Sequence, residues 1–170
     1  MLSNAPVLGT RGMVACAHYL ATQTGVQILT QGGNAVDAAI ASNAAMTVVY
    51  PSMCSAGGDV FMLIWEAKTQ KLYALNGSGR APAGMIPKYF VAQGMKTIPE
   101  RGPLSINIPG AVDGWFEALN RFGSLSAETI FAPAIAFAED GMPVSPKLSA
   151  WLHTASETLL KRWESSAGVY

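Results

Sequence analysis

The chain of 170 residues is 50% apolar and 13% charged, against about 25% charged in an ordinary soluble domain. Either its own core is unusually extensive or much of its surface meets another polypeptide. Its 11 basic and 11 acidic residues balance and form no run of one sign, which excludes the clustered Lys and Arg of a nucleic-acid surface, and no apolar stretch reaches the ~20 residues of a membrane span. Cys16, Cys54, His18 and His153 fall at no metal-ligand spacing, so no metal or other cofactor is expected. The two cysteines read as structural thiols, or as a pair that meets in space. The opening MLSNAPVLGT has neither the basic region nor the apolar core of a signal peptide, so the chain reads as cytoplasmic unless a leader has been removed.

In chain order, residues 11–18 (RGMVACAH) carry a short apolar run and are predicted as a buried strand. LATQTGVQILTQGGN follows as a helix bearing Leu20, Val26, Ile28 and Leu29, closed at Gly32-Gly33, where glycine takes the left-handed conformation. In NAVDAAIASNAAMTVVYP, Asn34 is a good N-cap, and Asp37 suits the positive end of the helix dipole rather than a catalytic role. Val36, Ile40, Ala44 and Val48 form a seam in this alanine-rich helix, whose small residues predict burial on more than one side.

Strands near 60–66 and 71–75 flank the polar turn Lys68-Thr69-Gln70 as a hairpin. The first strand is so apolar that cover on both faces is expected. Before it, Asp59 reads as a turn or strand-initiating residue, and the adjacent Gly57-Gly58 is a weak signal for an oxyanion hole. Five prolines between residues 81 and 109 predict a long irregular segment of the kind that is functional or disordered. Then Val112, Trp115, Phe116, Leu119 and Phe122 form the core stripe of a helix stopped by Gly123. A second helix starts near Ser126 with Ile130, Phe131, Ala134, Ile135 and Ala138 on one face, kinked or split at Pro133. A third is capped by Ser145, with Pro146 at its first position. Its stripe is Leu148, Trp151, Leu152, Ala155, Leu159 and Trp163, which leaves His153 in solvent. The pattern is α+β.

Three stretches carry a resemblance. QGGNAVDAAIASNAAMTVVYPSMCSAGGDVFMLIWE resembles the opening region of γ-glutamyltransferases and related acylases, INIPGAVDGWFEALNRFGSLS their PG-x-x-x-G helix, and APAIAFAEDGMPVSP their PAI-x-x-A-x-x-G-x-x-V segment. Order and spacing hold from about residue 12 to residue 146. The resemblance implies part of an αββα N-terminal-nucleophile hydrolase sandwich, made as a zymogen that cuts itself to free a threonine whose own α-amine is the general base. No threonine here is followed by the family's Ser or Thr, His, any residue, Ser, so the nucleophile is expected outside this chain and no residue here is catalytic. Residues 1–170 are then a single incomplete domain, the N-terminal part of the large subunit of an amide-bond acylase or γ-glutamyltransferase-like enzyme. The alternative is an inactive relative or substrate-binding module of the same fold. The implied partners are a small subunit carrying the threonine, a small acyl-amide substrate and further copies in an oligomer.

The resemblance also points at NGSGRAP, residues 76–82. Family members that handle γ-glutamyl groups carry R-E-x-A-P there, the arginine gripping the substrate α-carboxylate in a two-pronged bond. Aligning Ala81-Pro82 puts Ser78 at the arginine position and Gly79 at the glutamate, with Arg80 two residues later, a shift of ~3.3 Å per residue if extended. Ser78, Gly79 and Arg80 are the candidate substrate-binding residues. Arg80 has three open readings: it reaches a substrate carboxylate by a different path, it satisfies loop carbonyls, or it contacts the missing subunit. The GSGRAP form looks more like cephalosporin-acylase-like and oxamate-amidohydrolase-like members than strict γ-glutamyl enzymes.

Overall fold

A computed structural model describes residues 6–158 and 160–168. Leu159 and residues 1–5 of the opening segment lie outside the described residues. Helix α1 (Tyr19–Thr30) begins at His18, whose Nδ1 accepts the Leu20 N–H at 3.3 Å. It closes as expected, with Gly32 at φ +95°. Helix α2 (Ala35–Val49) starts with a reciprocal capping box: Asn34 Oδ1 accepts from the Val36 and Asp37 N–H groups, and Asp37 Oδ2 accepts from the Asn34 N–H at 2.8 Å.

Small residues let α1 and α2 close on each other; a Cβ on Gly25 would collide with Ser42 Oγ. Ala21 and Ile28 from α1 meet Ala38, Ile40, Ala41 and Ala45 from α2 in the core. Helix α2 also packs against α4 (Ala111–Phe122) and α5 (Ala127–Glu139), so it is buried on more than one side, as its alanine content predicts. Asp37 is fully buried. Beyond its capping role, it accepts from Ser124 N–H at 3.0 Å and Ser124 O–H at 2.5 Å, while Asn34 Nδ2 donates to the Phe122 carbonyl at 2.6 Å. The start of α2 is thereby tied to the end of α4.

The hairpin forms as expected, with β1 (Val60–Glu66) antiparallel to β2 (Lys71–Gly77), in register from Val60 opposite Gly77 to Glu66 opposite Lys71. Its inner row lies on α4; a Cβ on Gly114 would collide with Val60 and press on Leu75, and Met62, Ile64 and Leu75 join the core. The expectation of two covered faces fails. Phe61, Leu63 and Trp65 are 66, 76 and 57% exposed, with Leu72 beside them at 62%, because among the described residues helices cover one side of the hairpin alone.

The strand predicted over residues 11–18 is also absent; residues 12–16 are irregular and largely exposed, and His18 serves as a helix cap. A strand must pair its backbone groups with a neighbour, and the described sheet consists of β1 and β2 alone. The proline-rich segment is irregular apart from α3 (Pro87–Ala92), pinned by buried Phe90, and a 3-10 turn at Pro103–Ser105.

Trp115 is in the core, its Nε1–H donating to Asn43 Oδ1 at 2.8 Å. Val112 and Phe116, expected in the same stripe, are 41 and 43% exposed; the helix turns their edge of the stripe outward, where Phe116 leans on Phe131. On α5, Ile130 and Ala134 are buried while Ile135 and Ala138 face out. Helix α5 runs unbroken through Pro133; packing of Ile130 and Ala134 on either side outweighs the N–H that proline lacks. Helix α6 (Pro146–Thr158) starts as predicted, Ser145 Oγ accepting the Leu148 N–H at 3.1 Å. It buries Leu148 and Ala155, leaves Trp151 38% exposed, and puts His153 in solvent. The last helical turn is α7 (Glu164–Ala167). No helix among the described residues is long and apolar enough to cross a membrane.

Candidate substrate-binding loop

Three loops converge where β2 ends. The Asn76 side chain accepts the Ser78 N–H at 3.0 Å and starts the turn. Gly79 N–H then donates to Asp59 Oδ1 at 2.9 Å. Asn107, from the irregular segment before α4, points its amide nitrogen at Asp59 Oδ1 and Oδ2 (3.0 and 3.1 Å) and at the Gly79 carbonyl (3.3 Å). One residue on, the Ile108 N–H donates to the Arg80 carbonyl at 2.9 Å. The third loop is held by Gly58, whose carbonyl accepts from both Gly110 and Ala111 N–H at the start of α4. Glycine is required at 79, because a Cβ there would collide with the Ile108 carbonyl oxygen.

Ser78, Gly79 and Arg80 therefore form one short loop with its backbone pinned and the Ser78 and Arg80 side chains exposed. The Arg80 guanidinium has no hydrogen bond or ion pair with the described residues. Asp59 initiates β1, as its position predicts, and its carboxylate is bonded into this loop. Asp37 is not brought to it; it serves the helix junction. Asn107 went unmarked in the sequence, where an Asn shortly before the Pro109-Gly110 that leads into a helix was the available signal.

Beside the loop, a cavity of about 320 Å³ includes Asn43, Thr47, Cys54, Ser55, Gly58 and Asp59 in its wall. Burial pushes the Cys54 thiol up from its ordinary pKa, and the neighbouring Cys16 adds to the shift. Both cysteines are free. Two larger hollows flank α2. One of about 630 Å³ runs along the unpaired edge of β1, and one of about 580 Å³ lies under residues 11–16; Asn34, Ala35 and Ala39 border both. No group of three His, Cys, Asp or Glu among the described residues is placed to hold a metal ion.

Residues 21–170 match the family described as Gamma-glutamyltranspeptidase. A glutathione hydrolase-like YwrD proenzyme from Bacillus subtilis is 43% identical over 143 residues, which is 84% of this chain and 27% of the relative. The crystal structure of Helicobacter pylori gamma-glutamyltranspeptidase superposes with a TM-score of 0.87 at 32% identity, covering 95% of this chain and 47% of that one. A cephalosporin acylase from Bacillus halodurans superposes with a TM-score of 0.82 at 37% identity, over 95% of this chain and 31% of that one. The chain spans about a quarter of the length of the curated relatives it matches.

Proposed function

The chain belongs to the gamma-glutamyltranspeptidase family, and on that premise we propose that it is the opening part of the large subunit of an amide-bond acylase or γ-glutamyltransferase-like enzyme. Its nucleophile is a threonine freed by self-cleavage and carried on polypeptide outside these 170 residues. The whole enzyme is an αββα sandwich. Support for the incomplete state comes from the hairpin's outer row, Phe61, Leu63 and Trp65, which is apolar and exposed, and from the unpaired β1 edge. Burial of such a row is worth roughly 25 cal/mol per Å², and a second sheet supplies that cover.

The observation that carries the functional reading is Arg80: a guanidinium without a partner among the described residues, on a loop whose backbone is pinned by hydrogen bonds. In the proposed reaction Arg80 takes the carboxylate of a small acidic amide in a two-pronged bond. The threonine hydroxyl adds to the amide carbonyl while its own α-amine removes the proton. Collapse breaks the C–N bond, the leaving amine takes that proton, and the acyl group stays as an ester on the threonine until water or an amine displaces it. Ser78 and Gly79 line the approach to the carboxylate.

The test uses the complete proenzyme with γ-glutamyl-4-nitroanilide, glutaryl-4-nitroanilide and oxamate. Arg80→Ala is expected to raise KM for the acids it turns over by about 10-fold or more, the worth of a lost charge-assisted pair. Unchanged KM and kcat for every carboxylate-bearing substrate removes Arg80 from the site. A proenzyme that neither cleaves itself nor turns over any of the three is a binding module of the same fold.

A further inference from the structure

We propose that Asp59 and Asn107 act as positioning residues for Arg80, and so set which acid amides the enzyme accepts. The inference rests on the reading of Arg80 as the carboxylate-binding residue. In an unrestrained chain the sequence Gly77-Ser78-Gly79 is mobile, since glycine has the widest backbone freedom. Here three successive polar groups are held: Gly79 N–H by Asp59, the Gly79 carbonyl by Asn107, and the Arg80 carbonyl by Ile108 N–H. Asp59 and Asn107 are themselves joined through both carboxylate oxygens. They come from positions 48 residues apart, so the bond braces the hairpin's start against the segment that leads into α4.

No cation sits on Asp59 among the described residues; its charge is met by amide donors alone. That makes the arrangement sensitive to a change that preserves shape. In Asp59→Asn, either two NH2 groups face each other, or Asn107 turns its amide and sets its oxygen against the Gly79 carbonyl. One bond of the brace is lost each way. The loop then samples several conformations, and holding Arg80 in the productive one is deducted from substrate binding. Chemistry at the threonine is untouched, so the loss falls on KM.

The experiment takes the complete, processed enzyme with γ-glutamyl-4-nitroanilide and glutaryl-4-nitroanilide, and compares Asp59→Asn, Asn107→Ser, Arg80→Ala and each double variant with Arg80→Ala. The expected result is KM raised about 10-fold in either single brace variant, from one lost hydrogen bond to a charged group, with kcat within about twofold. Each double variant should match Arg80→Ala alone, because a brace has nothing left to position. Losses that multiply in the double variants, or a fall in kcat at unchanged KM, overturn the inference. If Arg80→Ala raises KM while the brace variants leave it unchanged, the inference fails and the Arg80 reading survives; if Arg80→Ala itself has no effect, the Arg80 reading fails first. Should Asp59→Asn not yield processed enzyme, Asn107→Ser carries the same test, since it leaves the Asp59 to Gly79 bond in place.

Discussion

The two halves of the molecule differ in how finished they are. Around α2, helices α1, α4 and α5 close a core of alanines, Ile28, Ile40 and Ile130, and even the carboxylate of Asp37 is buried with donors around it. Around the hairpin, apolar side chains face out, the outer edges of both strands are unpaired among the described residues, and residues 12–16 run irregularly beside α2 with no strand partner there. Among the described residues, the buried side-chain atoms His18 Nε2 and Ser42 Oγ have no hydrogen bond, and both lie on the flanks of that segment. The physical reason is the location of the hydrogen bonds. A helix satisfies its backbone within itself, whereas a strand depends on neighbours that arrive from elsewhere in the chain. Among the described residues the helical layer therefore closes while the sheet stays open.

The largest expected effect breaks the finished half. Asp37→Ala removes a fully buried carboxylate and with it the acceptor of the Asn34 N–H and of the Ser124 N–H and O–H, and should lower the unfolding free energy of the complete enzyme by about 3 kcal/mol. Denaturant titration measures it. A change below about 1 kcal/mol would mean that Asp37 does no more than cap an exposed helix. That outcome would erase much of the contrast between the halves.

The same contrast decides what was legible in the sequence. Asn34 with Asp37, Ser145 with Pro146, the Gly32 closure and the hairpin with its turn all follow from rules acting within a few residues and stand in the structure, except that β2 runs on to Gly77, past its expected end at Leu75. The strand over residues 11–18 and the second cover of β1 are not found among the described residues, because pairing and cover depend on neighbours distant in the chain, which a local pattern does not report. Phe116 was misplaced because a helical stripe shows which residues share a face, but not where the neighbour ends. The loop at 78–80 was visible as a glycine-bounded arginine after a strand. Its brace was not, because Asp59 and Asn107 meet across 48 residues and neither has a local signature.

The smallest effect sharpens the border between the halves, where Cys54 in the loop after α2 lies within electrostatic reach of Cys16 on the irregular segment before α1. A thiol whose pKa is raised by burial holds less thiolate at a given pH. Cys54 should therefore react with iodoacetamide more slowly at pH 8 than a free cysteine, as peptide mass spectrometry would show, and its rate should still be climbing at pH values where the free thiol has levelled off. A rate equal to or above that of free cysteine would contradict the assigned burial.

The central claim is that the outer face of the hairpin is the unfinished layer of a larger enzyme, and it is tested most directly at Leu63. In the complete processed enzyme, with Cys16 and Cys54 replaced by serine, a Leu63→Cys thiol should resist a charged maleimide until the protein is unfolded. Labelling of the native enzyme at the rate of a free thiol would show that nothing covers this face, and the account would be contradicted.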